Sequence, residues 1–161
     1  MKLPVDDITF WRDRIARANR EGSGNFHYSV YLARKDLWEH IVREHKRILE
    51  KETTGYRTLD AGCGYGRASE WVDDYTGVDF SPDFITKAKS LYPTKKFMVG
   101  DLRKLPFKDH HFDIAFCISI KQMILGNKGD EMWQEMEREL TRVAKKILIL
   151  EYEDPDQYYI V

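Results

Sequence analysis

"TLDAGCGYGRASEW", Thr58 to Trp71, says more about the architecture of this chain than any other stretch of it. Glycines at 62, 64 and 66 follow directly behind a carboxylate, Asp60, between an apolar run and a helical pattern. Alternating glycines at such a junction mean that backbone approaches something closely, because a Cβ there would stand in the way. Outward from this loop, short apolar runs alternate with helical stretches. The runs are Tyr56–Leu59, Tyr75–Val78, Lys96–Val99, Phe112–Ile118 and Lys146–Glu151, and the helical patterns cover 67–73, 82–91 and 130–145. Alternation of this kind predicts crossover connections: an α/β, Rossmann-like, doubly wound and mostly parallel sheet with helices on both faces. Ser81 followed by Pro82 marks the start of the helix over 82–91.

Two helices are expected ahead of the sheet. Ile8, Trp11, Ile15 and Ala18 recur at helical spacing over Asp7–Arg20. Asp36 and Glu39 read as a capping box opening a second helix that runs to about Glu52. The chain is therefore expected to form one domain over 1–161, with 1–52 as an N-terminal helical lid segment and 53–161 as the Rossmann-like core. After the fifth strand only "DPDQYYIV" remains, so the sheet is expected to be truncated there. A bare apolar edge is a liability; the tail "YYIV" or a second copy of the chain, as a homodimer, is expected to cover it.

Composition excludes several classes. Lys and Arg number 26 against 27 Asp and Glu, a net charge of -1, so no bulk basic field points to nucleic acid. No apolar run reaches the ~20 residues needed to span a bilayer, and no signal peptide pattern precedes the first helix. Two cysteines, Cys63 and Cys117, make no disulfide framework, which suits a cytoplasmic location. His40 and His45 are five apart on one helix, without the spacing of a two-histidine zinc pair, so no metal is expected.

Ligands of doubly wound sheets sit outside the carboxyl ends of the strands. There the chain places Asp60, then Asp79 nineteen residues on, then Gly100-Asp101. Three carboxylates suit a ligand with hydroxyls and amines and no phosphates. An acid about twenty residues past a glycine loop accepts both hydrogen bonds of a ribose diol. A dinucleotide would ask for G-x-G-x-x-G, but Arg67 occupies the sixth position, and no Gly-Lys-Ser/Thr of a phosphate-binding loop follows.

"LDAGCGYGR", "YTGVDFSPDFITKAK" and "KFMVGDLRKLPFKDHHFDIAFCIS" together resemble successive motifs of the class I S-adenosylmethionine-dependent methyltransferases, of a minimal type 11/25-like form, over about residues 56–152. The resemblance implies S-adenosylmethionine as cofactor, with S-adenosylhomocysteine as product. It implies that the loop Gly62-Cys63-Gly64 passes under the methionine moiety, with Asp60 beside its ammonium group. Asp79 would hold the ribose hydroxyls and Phe80 would pack on adenine. Asp101 and the Leu102 backbone would meet the adenine edge, and Cys117 would line the floor near the methionine. Blander roles stand beside these: Asp60 as a helix cap, Asp101 as a turn former, Cys117 as a small buried hydrophobe, and Gly66 as a packing glycine.

Methyl transfer from a sulfonium asks chiefly for alignment and exclusion of water, so no shared catalytic residue is implied. His27, Tyr28 and Tyr31, in "NFHYSVY", are the candidates for covering the sulfonium or touching the acceptor, with Met123 and Tyr152 as further pocket candidates. After the fourth strand, "CISIKQMILGN" lacks the Asn/Asp-Pro-Pro-aromatic motif used on base and glutamine amides. A small-molecule acceptor is expected. An RNA or protein methyltransferase, or a non-catalytic accessory module that binds the cofactor, is the alternative.

Overall fold

The computed structural model describes residues 35–121, 124, 129–151 and 158–160, together with 12, 13, 15–17 and 20. Helix α1 spans Lys35–Thr53 and strand β1 Arg57–Ala61. A 3-10 helix over Arg67–Trp71 leads to β2, Asp74–Asp79. Then come α2 (Pro82–Leu91), β3 (Lys96–Val99), β4 (Phe112–Ile118), α3 (Asp130–Val143), β5 (Ala144–Leu150) and β6 (Tyr158–Ile160).

The strands lie in the order β3-β2-β1-β4-β5-β6. β1 pairs in parallel with both β2 and β4, so the order reverses at its two sides. β3 and β5 extend the sheet in parallel on either flank. This is the expected doubly wound sheet of five parallel strands. The tail adds β6 antiparallel to β5, with Leu148 opposite Ile160 and Leu150 opposite Tyr158. The tail, one of the two covers expected for the β5 edge, is thus in place.

Two apolar clusters sandwich the sheet. On one face Ile48 and Leu49 of α1 and Ile85 and Ala88 of α2 meet Ile114, Phe116, Leu148 and Leu150. On the other, Trp133, Leu140 and Val143 of α3 meet Leu59, Ala115, Ile147 and Ile149. Alternate residues of β4 and β5 thus serve opposite faces, as the pleat requires. α1 presents Ile41, His45, Ile48 and Leu49 as one buried stripe at helical spacing.

Element boundaries moved in informative ways. α1 is already helical at Lys35, so Asp36 lies within the helix rather than ahead of it. The helix expected over 67–73 is a five-residue 3-10 turn, because Gly66 enters it in the left-handed conformation and Val72 is already extended toward β2. α2 matches its expectation. Pro82 opens it and the Ser81 hydroxyl accepts the Phe84 N–H at 3.3 Å. Of the helix expected over Asp7–Arg20, the described residues are helical and Ile15 is buried. The segment with His27, Tyr28 and Tyr31, and Met123 and Tyr152, lie outside the described residues. No helix among the described residues is long and apolar enough to cross a membrane.

Candidate functional site

The tips of β1, β2 and β3 lie side by side at the carboxyl end of the sheet, next to the point between β1 and β4 where the strand order reverses. The Gly62 and Cys63 N–H groups both donate to the Val78 carbonyl, at 2.8 and 3.0 Å, which folds the loop over the end of β2. Gly62, Gly64 and Gly66 all have positive φ (79°, 54° and 80°), a backbone that L side chains rarely adopt. Gly66 is the packing glycine: a Cβ there would stand 2.4 Å from Phe97 Cε1. Gly62 has Ile120 of the β4 tip pressed against it, 2.4 Å from where its Cβ would be.

Asp79 organises the centre. Its Oδ2 accepts the Gly64 N–H and its Oδ1 accepts the Ser81 N–H, both at 2.9 Å. Gly100 in turn donates its N–H to the Asp79 carbonyl at 2.9 Å, tying the β3 tip to the same residue. A carboxylate has about four acceptor sites, so the two not taken by backbone suit a vicinal diol. Burial pushes the Asp79 carboxyl up to about 6, with the Ser81 and Gly64 N–H groups acting against it.

Asp60 lies in β1, one residue before its end, with its carboxylate buried beneath the loop. Its Oδ2 accepts the Tyr75 hydroxyl at 2.7 Å. Burial pushes it up to about 7; the Tyr75 hydroxyl and the Arg67 cation pull it down, and Asp79 adds to the rise. A helix-cap role for Asp60 is therefore not what this geometry shows. Arg67, itself buried, holds its guanidinium 5.5 Å from the Trp71 ring centroid.

The remaining expected residues divide. Phe80, just past β2, is half-buried, and Leu102 is buried against the core. Asp101 is exposed and doubly bonded by Arg103, whose Nε and Nη2 donate to its two oxygens at 3.0 and 2.6 Å. That hydrogen bonding holds its carboxyl below the usual range. Asp101 also accepts the Arg103 N–H at 2.9 Å, so it forms the turn after β3. Cys63 turns its thiol into the α1/α2 face, and burial pushes it up. Cys117 is fully buried among Leu59, Ala115 and Ile149, where it packs the sheet. Neither cysteine is in a disulfide.

The β3–β4 loop is held by Arg142 of α3. It donates to the carbonyls of Leu105 and Phe107, at 3.1 and 2.8 Å, while pairing with Glu139 and Asp109. At the tips of β4 and β5, His45 of α1 lies 3.4 Å from the Glu151 carbonyl through Nε2. Burial, reinforced by Arg67, lowers its pKa to about 3, so it is neutral. Ser119, after β4, has a left-handed backbone (φ 59°) and donates its N–H to the Leu150 carbonyl at 2.7 Å.

Sequence reading missed Tyr75, His45 and the electrostatic part of Arg67. For Tyr75 a signal existed: Tyr75 and Gly77 alternate onto one face of β2, and a glycine within a strand marks a close approach. Its partner depended on register, which spacing does not show.

Two observations bear on phosphate ligands. The element after the loop is a five-residue 3-10 turn, too short to aim a helix dipole at a pyrophosphate. Two buried carboxylates at the same place oppose an anion. The site fits a ligand with hydroxyls and a cationic end.

Residues 59–147 match the family model described as "Methyltransferase domain". The chain is 35% identical over 66 residues to a malonyl-[acyl-carrier protein] O-methyltransferase of Erwinia billingiae, covering 38% of this chain and 26% of that one. It is 27% identical over 110 residues to the sterol 24-C-methyltransferase erg6 of Schizosaccharomyces pombe, covering 60% and 29%. The chain thus spans under a third of the length of these curated relatives. Among solved structures, the PH0226 protein of Pyrococcus horikoshii superposes with a TM-score of 0.63 at 27% identity, over 78% of this chain and 65% of that one.

Proposed function

The chain belongs to the methyltransferase domain family, and from that premise we propose that it binds S-adenosylmethionine and transfers its methyl group to a small-molecule acceptor. The observation that carries the reading is the Asp79 carboxylate, buried at the tip of β2 and bonded to the glycine loop, with acceptor sites to spare for a diol. S-adenosylmethionine supplies a methyl group already activated on a cationic sulfur. The protein's residues then have to bind, orient and keep water out.

In this reading Asp79 takes the ribose hydroxyls and the Gly62-Cys63-Gly64 backbone runs beneath the amino-acid end. Asp60 faces the ammonium group, Phe80 packs on adenine, and the Leu102 backbone with Asp101 meets the adenine edge. Because the Asp101 carboxylate is engaged by Arg103, its part is to shape the turn that presents Leu102. Cys117 supports the floor from within the core. The acceptor lies over the tips of β4 and β5; because α1 buries Ile48 and Leu49 in the core against the sheet, the lid expected over 1–52 is confined to the residues ahead of Lys35. Arg12, in the N-terminal helix, donates to Asp83 in the first turn of α2 at 2.9 Å, which supports this reading of the N-terminal segment. His27, Tyr28 and Tyr31 are the acceptor-facing candidates of the lid. The near-neutral charge favours a small acceptor over nucleic acid. Among the relatives' names, a sterol acceptor is of that class, a malonyl group carried on acyl-carrier protein is protein-borne, and a third name specifies 23S rRNA. The two buried free thiols suit a reducing, cytoplasmic setting.

Mass spectrometry of ligand retained by the purified protein, followed by a labelled-methyl acceptor screen, tests the reading. We expect S-adenosylmethionine or S-adenosylhomocysteine in the protein, and methyl incorporation into a small molecule. Tyr28→Ala should impair transfer more than S-adenosylhomocysteine binding. Methylation of RNA or protein with no small-molecule activity would overturn the acceptor class, and cofactor binding without turnover on any acceptor would point to an accessory module.

A further inference from the structure

Tyr75 is the second residue of β2, and its side chain runs toward the carboxyl ends of the strands. In the parallel register Tyr75 stands opposite Thr58, whereas Asp60 stands opposite Gly77. The phenol therefore has to run along the sheet face, past the Gly77 position, to reach the Asp60 carboxylate. Gly77 leaves that path open: a Cβ on it would stand 2.7 Å from the Tyr75 hydroxyl and 2.9 Å from Cys63 Sγ. Phe97 meets the Tyr75 ring edge-on, centroids 5.5 Å apart, and closes the far side of the path. The ring is 2% exposed, so its hydroxyl needs a buried acceptor, and Asp60 Oδ2 is that acceptor at 2.7 Å. Asp60 Oδ1 carries no hydrogen bond among the described residues.

We propose that Tyr75 is a positioning residue for the cationic amino-acid end of the ligand: it holds one oxygen of Asp60 from the core side and leaves the other for an ammonium group. This rests on the reading of the site given above. The phenol does two things at once. It fixes the orientation of the carboxylate, and as a donor it favours the charged form over the protonated one. The groups that face Asp60 are Tyr75 from β2, Arg67 from the 3-10 helix, Asp79 from the β2 tip and, from the loop and β4, the Cys63 and Cys117 thiols. Arg67 acts with Tyr75, and Asp79 against it. Asp60, pushed up to about 7, therefore passes from carboxylate to acid as the pH falls through neutrality. An ammonium ligand loses its partner over the same range.

The test is calorimetric titration of the full chain with S-adenosylhomocysteine from pH 5.5 to 8.5, comparing wild type, Tyr75→Phe and Asp60→Asn. Tyr75→Phe keeps the ring and removes the donor. Its acid limb should move to higher pH by about one unit, a loss of affinity on the order of fivefold at pH 7 that closes toward pH 8.5. A merely structural role would weaken binding equally at every pH. Asp79, which titrates lower, adds its own limb in all three proteins. Incorporation of 3-fluorotyrosine at Tyr75, a stronger donor of the same shape, should move the limb the other way and serves if Tyr75→Phe melts below the assay temperature. An Asp60→Asn protein that keeps wild-type affinity and the full limb overturns the reading of the site, and this proposal with it. An Asp60→Asn protein that flattens the limb, while Tyr75→Phe leaves it in place or lowers affinity uniformly, overturns the Tyr75 proposal alone.

Discussion

Gly64 donates its backbone N–H to Asp79 Oδ2 at 2.9 Å, so the glycine loop at one strand tip and the acid at the next form a single unit. The same carboxylate holds the Ser81 N–H at the start of α2. Asp79→Ala therefore removes ligand contacts and the post that holds the loop. S-adenosylhomocysteine affinity should fall by at least about tenfold, since each hydrogen bond to a charged group contributes roughly 1.5–3 kcal/mol. The melting temperature should fall as well. Unchanged binding by calorimetry would remove Asp79 from the site.

Ligand-induced stabilisation separates the cofactor classes. S-adenosylhomocysteine at about one hundred times its Kd should stabilise the protein by about 2.7 kcal/mol, whereas NAD at the same concentration should leave the melt where it was. The two buried acids and the short turn after the loop are the reasons. A comparable shift with NAD would reverse that conclusion.

Gly66→Ala meets two obstacles. Its φ of 80° disfavours any side chain, and the new methyl would stand 2.4 Å from Phe97 Cε1 in the buried core. Overpacking with backbone strain should cost roughly 2 kcal/mol or more in urea unfolding. Phe97→Leu in the same chain should recover part of the loss by making room, though not the part due to φ. A variant as stable as wild type would show that the loop re-forms around the methyl.

His45 sets an acid limit on stability. Its folded pKa is depressed to about 3 from 6.5, chiefly by burial, so its contribution is present above about 6.5 and is lost as pH falls toward 3. Asp60 and Asp79 act in the opposite sense. Their folded values, about 7 and about 6, lie above 3.8, so their contribution is full below that value and is lost as pH rises through 6 to 7. His45→Leu should thus lose less stability than wild type between pH 7.5 and 4.5, by roughly 2 kcal/mol. Parallel curves for the two proteins in urea would show that His45 titrates normally.

Removing the chain after Glu151 would strip β6 from β5 and bare the backbone along Leu148–Leu150. Unpaired edges of apolar strands recruit other chains. Light scattering should show self-association of the truncated protein at concentrations where the full chain is monodisperse, with faster amide exchange at Ile147–Leu150. A monodisperse truncated protein would mean that another segment takes the place of β6.

How much could be read in advance varies element by element. The sheet's strands were legible because each is a short apolar run between turn-forming residues, and α2 because Ser81-Pro82 is a local start signal. The helix expected after the loop is longer than the element that forms there. Arg67–Trp71 has helical composition, but the left-handed Gly66 and the nearby start of β2 leave room only for a tight turn. Asp79 was legible from its distance to the glycines. Asp101 was legible as a strand-end acid, but its engagement with Arg103, two residues on, was not.

The alternation of strands and helices, the glycine loop and the acids at the strand ends follow from the order of residues alone, because these depend on local backbone preference and spacing along one strand. Which groups surround those acids depends on how distant segments pack against one another. Tyr75 reaches Asp60 because parallel register sets Gly77 opposite it. His45 and Arg67 come together because α1 packs on the face to which the loop turns. Burial, which pushes Asp60 and Asp79 up and His45 down, is a property of that packing. The charge of a carboxylate in water is a property of the residue alone, whereas its charge beneath a folded loop depends on every neighbour that displaces the water.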